Sequence, residues 1–212
     1  MTDPQPGLEP VLTAAPVVPV VIVDDLKTAV PMAKALVAGG LTAIEVTLRT
    51  SAAMEAIKAI AAEVEGANVG VGTVLTGQQL EAAMKAGATF AVSPGATEKL
   101  LDAAADLPIP LLPATATVSE MMALIERGYR FAKFFPAEPA GGAKYISALH
   151  SPIPQLRFCP TGGVTPESAR VYLKLPNIVC VGGSWMLPKD KIAAGDWAGI
   201  TALAKEAAGL RG

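Results

Sequence analysis

The alternation of apolar and helical segments constrains the fold of this chain more than any other feature of the sequence. Eight strand-like apolar runs are separated by alanine-rich segments with helical spacing, and several of these segments end in a glycine suited to a helix C-cap. Parallel strands that are buried on both faces read as nearly continuous apolar runs of this kind. The apolar runs cover residues 17–23, 43–49, 68–74, 90–95, 109–115, 130–136, 156–163 and 178–185.

Eight strand and helix units in one chain predict an α/β protein with a single-domain (β/α)8 barrel, of the TIM barrel type, over residues 17–212. A doubly wound open sheet is the alternative. Residues 1–16 form an N-terminal extension in this prediction, with one short helix near residues 8–14. These sixteen residues contain four prolines and no basic residue, which is the wrong composition for a secretory signal or a transit peptide.

Charge and cysteine content narrow the functional class. The net charge is −2 with both signs scattered along the chain, so we expect no nucleic-acid surface. No apolar run approaches the roughly 20 residues of a membrane span, so we expect no membrane partner. Cys159 and Cys180 lie in strand-like runs, which favours buried free thiols in a reducing cytoplasm over a disulfide. A single histidine, His150, excludes a histidine-rich metal site, and we expect no metal.

Lys133 lies in the middle of a strand-like segment, RFAKFFPAE at residues 130–138, whereas the other ten lysines fall in helix-like or loop-like segments. Burying an ammonium group is costly unless it is paired or used. Two interpretations are open: a structural lysine neutralised by a carboxylate, or a nucleophile that forms a Schiff base with a carbonyl carbon. The second needs an acid–base partner, and Glu45 is the only acidic residue inside a predicted strand.

Polar residues gather at the predicted C-terminal ends of the strands, where barrel enzymes carry their chemistry. Glu45, Thr47 and Arg49 alternate with period two, so a regular strand would place them on one face. That face points either inward to a ligand or outward to helix residues. Other residues at predicted strand ends are Thr73, Ser93, Pro94, Thr115, Phe135 and Thr161.

Two glycine pairs close the last two predicted strands, in PTGGVTPE at residues 160–167 and VGGSW at residues 181–185. Glycines let backbone N–H groups approach an anion, and a following helix N-terminus favours negative charge. One such pair also makes an ordinary tight turn, but two on adjacent strands favour phosphate binding. The predicted phosphate-binding residues are Gly162, Gly163, Gly183 and Ser184.

Seven segments resemble, in order and spacing over nearly the whole chain, the bacterial 2-dehydro-3-deoxy-6-phosphogluconate (KDPG) aldolases, some of which also act on 4-hydroxy-2-oxoglutarate (KHG). They are PVVPVVIV, AKALVAGGLTAIEVTLRT, GVGTVLT, FAVSPG, KFFPAE, RFCPTGGVTP and CVGGSW. The resemblance implies a class I aldolase of the Entner-Doudoroff pathway that cleaves KDPG reversibly to pyruvate and D-glyceraldehyde 3-phosphate, without a cofactor. It also implies a (β/α)8 barrel assembled as a homotrimer.

By this resemblance Lys133 forms the Schiff base with pyruvate, and Glu45 is the proton shuttle. Arg49 holds the pyruvate carboxylate with the assistance of Thr73, and Thr161 bears on substrate preference. The remaining residues predicted to bind substrate are Pro94, Phe135, Gly162, Gly163, Gly183 and Ser184.

One stretch departs from the family pattern. After the fifth predicted strand the family usually has Pro-Gly, whereas this chain has PATATVSE, with Ala114 in place of the glycine. If that position requires a positive φ, alanine costs about 1 kcal/mol, and in either case it adds a methyl group near the site. This departure leaves open an aldolase for a C4-epimeric or unphosphorylated 2-keto-3-deoxy acid. Two rivals of the aldolase interpretation also stay open: a phosphosugar isomerase or epimerase on the same barrel, and a non-catalytic phosphoanion-binding barrel.

Overall fold

A computed structural model describes residues 3–211 of the 212-residue chain, in which nine short strands alternate with helices. The strands are β1 (Val17–Val21), β2 (Ala43–Thr47), β3 (Asn68–Gly72), β4 (Phe90–Val92), β5 (Leu111–Leu112), β6 (Ala114–Thr115), β7 (Phe131–Phe134), β8 (Arg157–Pro160) and β9 (Val181–Gly183). The helices are α1 (Leu8–Thr13), α2 (Ala29–Ala38), α3 (Ala53–Glu63), α4 (Gly77–Lys85), α5 (Glu98–Ala105), α6 (Val118–Glu126), α7 (Gly142–Ala148), α8 (Pro166–Tyr172), α9 (Lys189–Ala194) and α10 (Trp197–Ala208), with 3-10 turns at Leu26–Thr28 and Gly209–Arg211.

The strands form two parallel sheets in one domain. The larger sheet has the order β5-β4-β3-β2-β1-β9 and the smaller has the order β6-β7-β8. The sheets adjoin at Pro113, which separates β5 from β6, and isolated parallel bridges join Phe158 to Ile178 and Thr161 to Gly182. The result is a single-domain α/β fold with a curled sheet. Strands β1 to β5 and β6 to β8 are neighbours in chain order, and the two bridges connect β8 to the segment of β9, which pairs with β1, so the doubly wound alternative is wrong.

The observed strands are shorter than the apolar runs that predicted them, and the fifth predicted strand is split at Pro113. Arg49 lies outside β2, in a turn in which its N–H donates to the Thr47 carbonyl at 2.8 Å, so the prediction of one continuous strand through residue 49 is wrong. Ala114 lies in β6 and pairs with Lys133, and Thr73 is the only non-glycine residue of residues 3–211 with a positive φ. Position 114 therefore does not have a positive φ, and alanine carries no backbone cost there.

Both faces of the strands are buried, and successive residues pack into two different apolar clusters. On β7, Phe131 belongs to a small cluster that includes residues of α1, whereas Ala132 and Phe134 belong to the large cluster that the surrounding helices cover. Cys159 and Cys180 lie in the small cluster as buried free thiols, which confirms that prediction. The neighbouring Cys159 thiol, together with burial, raises the pKa of Cys180 well above its ordinary value. The small cluster comprises Leu8, Val11, Leu12, Val18, Ala43, Phe90, Val92, Leu112, Phe131, Cys159, Val179 and Cys180.

Residues 3–13 cover the N-terminal ends of the strands. The Gln5 side chain is buried and donates through Nε2 to the carbonyls of Leu111 at 2.8 Å and Phe131 at 2.9 Å. Its Oε1 accepts from the N–H groups of Arg130 at 3.0 Å and Phe131 at 2.9 Å. This amide thereby satisfies four backbone groups between β5 and β7. Two ion pairs add to the contact, Arg130 with Asp3 and Arg157 with Glu9.

No helix within residues 3–211 is long and apolar enough to cross a bilayer.

Candidate active site

Lys133 and Glu45 form a buried ion pair toward the C-terminal ends of β7 and β2. Lys133 Nζ lies 3.2 Å from Glu45 Oε1, and each side chain is only 4% exposed. The Phe135 ring lies beside the ammonium group, with its centroid 5.3 Å from Nζ. Of the two orientations open for Glu45, the structure has the inward one. Lysine and glutamate thus lie within proton-transfer distance of each other in a nearly dry environment.

Gly72 makes the position of Glu45 possible. A Cβ atom on residue 72 would lie 2.6 Å from Cγ and 2.8 Å from Cδ of Glu45, and closer still to Oε1. Gly72 belongs to β3 and pairs with Thr47, within the strand predicted over residues 68–74. The absence of a side chain on β3 provides the space that the carboxylate occupies.

Arg49 and Thr73 meet at the mouth of the site. Arg49 Nε donates to Thr73 Oγ1 at 3.1 Å, and Thr73 adopts a left-handed backbone conformation with φ 59°. A threonine in that region stores strain of a kind that concentrates at functional sites. Arg49 is exposed, whereas Thr47 is buried and donates its hydroxyl to the Val21 carbonyl at 3.0 Å. Thr47 therefore joins β2 to β1, and Arg49 presents its guanidinium to the solvent side of the site.

The PTGG loop, residues 160–163, begins at the end of β8. A Cβ atom on Gly182 would lie 3.0 Å from Thr161 Cγ2 and closer to Oγ1, so a glycine on β9 leaves room for this threonine. Thr161 is buried, and its hydroxyl donates to the Cys159 carbonyl at 3.4 Å. Gly162 and Gly163 have φ values of +103° and +79°, a conformation that side-chain-bearing residues rarely adopt.

The GGSW loop, residues 182–185, borders a cavity of about 550 Å³. Ser184 is exposed and lines this cavity together with Val20, which is the ladder partner of Glu45 on β1. Lys189 at the start of α9 and Asp25 also line it. The cavity lies between the C-terminal end of β1 and α9.

Pro94 directly follows β4, in a loop in which the Ser93 hydroxyl donates to the Gly95 carbonyl at 2.6 Å. The structure thus brings together Lys133, Glu45 and Phe135, and separately Arg49 and Thr73. It places Pro94, Gly183 and Ser184 at strand ends, and among residues 3–211 no side-chain hydrogen bond or ion pair joins them to Lys133 or Glu45. Among residues 3–211, no group of three or more His, Cys, Asp or Glu side chains is arranged to hold a metal ion.

Residues 8–203 match the family described as KDPG and KHG aldolase. The chain belongs to this aldolase family. The KHG/KDPG aldolase of Escherichia coli K12 is 55% identical over 199 residues, which cover 94% of this chain and 93% of that protein. The resemblance in the sequence motifs is therefore confirmed.

Two solved structures of KDPG aldolases share the fold at a TM-score of 0.92. The Zymomonas mobilis ZM4 enzyme, determined with 3-phosphoglycerate, is 48% identical and covers 96% of both chains. The Legionella pneumophila enzyme, with pyruvate captured at low pH as a covalent carbinolamine intermediate, is 42% identical and covers 98% of both chains.

The sequence does not predict two features of this KDPG/KHG aldolase chain. The strand predicted over residues 68–74 includes Gly72 but does not indicate that this residue makes room for Glu45, although its position two residues after Gly70 indicates a face without side chains. Glu138, the last residue of KFFPAE, was assigned no role, yet its carboxylate accepts from the Tyr172 hydroxyl at 2.9 Å. Nothing in the local sequence around residue 138 indicates that partner.

Proposed function

We propose that this chain is a class I aldolase that cleaves KDPG reversibly to pyruvate and D-glyceraldehyde 3-phosphate, and that also acts on 4-hydroxy-2-oxoglutarate. The observation that carries the proposal is the buried Lys133–Glu45 pair at 3.2 Å. The relative from Escherichia coli, which bears both the KHG and the KDPG name, supports the two substrates. The carbinolamine of pyruvate in the Legionella pneumophila enzyme supports covalent catalysis.

The mechanism begins with transfer of a proton from the Lys133 ammonium group to Glu45. The neutral amine then attacks the C2 keto carbon, and the resulting carbinolamine loses water as Glu45 returns a proton, which leaves an iminium ion. Glu45 next removes the proton of the C4 hydroxyl. The C3–C4 bond breaks, its electron pair forms a C2=C3 double bond while the C2=N π electrons move to nitrogen, and the aldehyde departs to leave an enamine. Protonation of the enamine at C3, followed by hydrolysis, releases pyruvate and regenerates Lys133.

The other predicted site residues bind and orient the substrate in this proposal. Arg49 pairs with the carboxylate, best in the two-pronged geometry of a guanidinium, while its Nε contact to Thr73 holds the side chain at the mouth. Thr161 faces the C4 substituents and influences the preference between C4 epimers. The residues that border the pyruvyl part are Pro94 and Phe135, and those that bind phosphate are Gly162, Gly163, Gly183 and Ser184.

We also propose that the two curled sheets close into a complete (β/α)8 barrel over residues 17–212, with residues 1–16 as an extension. The two bridges between β8 and the segment of β9 support this closure. Assembly as a homotrimer in the cytoplasm belongs to the same proposal, and two buried free thiols are in keeping with a reducing compartment.

Reduction with borohydride in the presence of pyruvate tests the chemistry. We expect mass spectrometry of the digested protein to find the reduced pyruvate adduct on the peptide that contains Lys133. Lys144→Ala removes an exposed lysine of α7 and is the matched control, which keeps both adduct and activity. An unmodified Lys133, or KDPG cleavage that survives Lys133→Ala, would contradict the mechanism.

The same experiment separates the alternatives. A phosphosugar isomerase or epimerase exchanges substrate protons without ever forming an imine, and a non-catalytic barrel releases no pyruvate in a coupled assay. A panel of kcat/KM values over KDPG, its C4 epimer and unphosphorylated keto acids ranks the substrates. The Ala114 methyl group, which lies in β6 beside Lys133, is expected to affect that ranking.

A further inference from the structure

Glu138 lies over the glycine pair of the PTGG loop. Its N–H donates to the Gly162 carbonyl at 3.1 Å, next to a second bond from the Ala137 N–H to the Thr161 carbonyl at 2.8 Å. A Cβ atom on Gly163 would lie 3.0 Å from both Cβ and Cγ of Glu138. The stem of the glutamate side chain therefore packs directly on the backbone of the second glycine.

The carboxylate of Glu138 is hydrogen-bonded to α8, on the other side of the loop. Its Oε1 accepts from Tyr172 Oη at 2.9 Å, and Tyr172 is the last residue of α8, the helix that follows the PTGG loop in the chain. Tyr172 is fully buried, so its hydroxyl would lose a partner in the protein if the glutamate were removed. Burial and the Glu138 carboxylate raise the pKa of Tyr172 above its ordinary value, which keeps the hydroxyl a donor throughout the neutral pH range.

A pair of glycines with positive φ has many accessible conformations, and an anion site requires only one of them. In this chain two backbone hydrogen bonds hold the loop from the β7 side, and the Glu138–Tyr172 bond connects that side to α8. Without the Glu138–Tyr172 bond, the loop loses conformational entropy when the phosphate binds, and this loss weakens the binding. Reaction of Lys133 with the keto end of the substrate does not depend on this ordering.

We propose that Glu138 and Tyr172 are positioning residues that hold the PTGG loop in its phosphate-binding conformation, and that they thereby set the preference for phosphorylated substrates. The proposal rests on the phosphate-binding role of the loop in the proposed function. Neither residue touches the reacting atoms, so their effect is expected in the binding of the phosphorylated end and not in the formation of the Schiff base.

Four variants test the proposal: Tyr172→Phe, Glu138→Ala, Glu138→Gln and, as matched control, Tyr145→Phe. Tyr145 stacks on Phe134 through its ring, and a phenylalanine preserves that contact. Each variant is assayed for the dissociation constant of 3-phosphoglycerate by calorimetry, for KM and kcat with KDPG, and for the rate of borohydride trapping with pyruvate. Tyr172→Phe removes only one oxygen atom, so this variant still tests the proposal if Glu138→Ala does not fold.

Loss of one such hydrogen bond is expected to weaken 3-phosphoglycerate binding, and to raise KM for KDPG, about tenfold in Tyr172→Phe and Glu138→Ala. Pyruvate trapping should stay within twofold of wild type. Glu138→Gln retains an acceptor oxygen and should rescue binding to within about threefold. Unchanged 3-phosphoglycerate binding in Tyr172→Phe, or an equal loss in pyruvate trapping, overturns the proposal, because the pair would then be merely structural.

Ser184→Ala distinguishes this failure from failure of the proposed function. If Ser184→Ala weakens 3-phosphoglycerate binding and Tyr172→Phe does not, the phosphate site stands and the positioning role is wrong. If wild type binds 3-phosphoglycerate but cleaves no KDPG, the proposed reaction is wrong, while the binding constants of the variants still decide the role of the pair.

Discussion

Replacing Gly72 by alanine is expected to displace Glu45 while leaving Lys133 in place. The new Cβ atom would lie 2.6 Å from Glu45 Cγ and closer still to Oε1, whereas ordinary van der Waals contact begins at 3.4 Å, so the side chain must move by at least about 0.8 Å. Glu45 Oε1 lies 3.2 Å from Lys133 Nζ before the change. A misplacement of about 1 Å in a reacting group costs on the order of 100-fold in rate. We therefore expect kcat/KM for KDPG to fall about 100-fold, which equals a loss of about 2.7 kcal/mol in transition-state stabilisation.

The assay follows pyruvate release with lactate dehydrogenase and NADH, after circular dichroism has established that the variant is folded. Gly209→Ala is the control, because a Cβ atom at that position, at the end of α10, meets nothing within 4 Å. Borohydride trapping adds a second readout: the pyruvate adduct on Lys133 should still form, but slowly. A folded Gly72→Ala protein with kcat/KM within threefold of wild type would refute the inference that β3 fixes the carboxylate by close contact.

Two further predictions concern the free energy of unfolding, measured in urea. Lys133→Met leaves the buried Glu45 carboxylate uncompensated and should destabilise the protein by about 3–5 kcal/mol, whereas adding Glu45→Leu should restore most of that loss; a single variant as stable as wild type would contradict the burial of the pair. Gln5→Ala leaves four backbone groups without their partner and should cost about 3 kcal/mol with kcat unchanged, since Gln5 lies at the opposite end of the strands from Lys133. Gln78→Ala, which changes an exposed residue of α4, is the control for Gln5→Ala. A fall in the kcat of Gln5→Ala would contradict a purely structural role of Gln5.

The apolar runs predicted where strands lie but not where their hydrogen bonding stops. Apolar character reports burial, and residues just beyond a strand are buried too, as Val74 is after β3. Pro113 splits the fifth predicted strand because proline has no N–H to donate, although its carbonyl still accepts from Lys133 N at 2.9 Å. Both departures come from backbone hydrogen bonding, which the hydrophobic pattern does not record.

The chemistry at the centre of the site was predictable because a charge inside an apolar strand is costly and has to be explained. That argument identified Lys133 and Glu45 and required them to lie close together. It carried no information about Tyr172, which lies 34 residues beyond Glu138 in sequence, or about the face of β3 that Gly72 leaves open. Contacts of this kind depend on register and helix docking, which the local sequence does not specify.

Gln5 and Glu9 bind the N-terminal ends of strands that are synthesised much later. The partners of Gln5 lie 106 to 126 residues further along the chain, and Arg157, the partner of Glu9, lies 148 residues further. At about 5–20 residues per second, a ribosome needs about 5–21 s to make the first 106 residues of this distance. Throughout this interval Gln5 and Glu9 have none of these partners to bind. The segment that contains α1 thus forms these contacts only after residues more than 100 positions further along have been made, and until then a chaperone has access to the apolar face of α1.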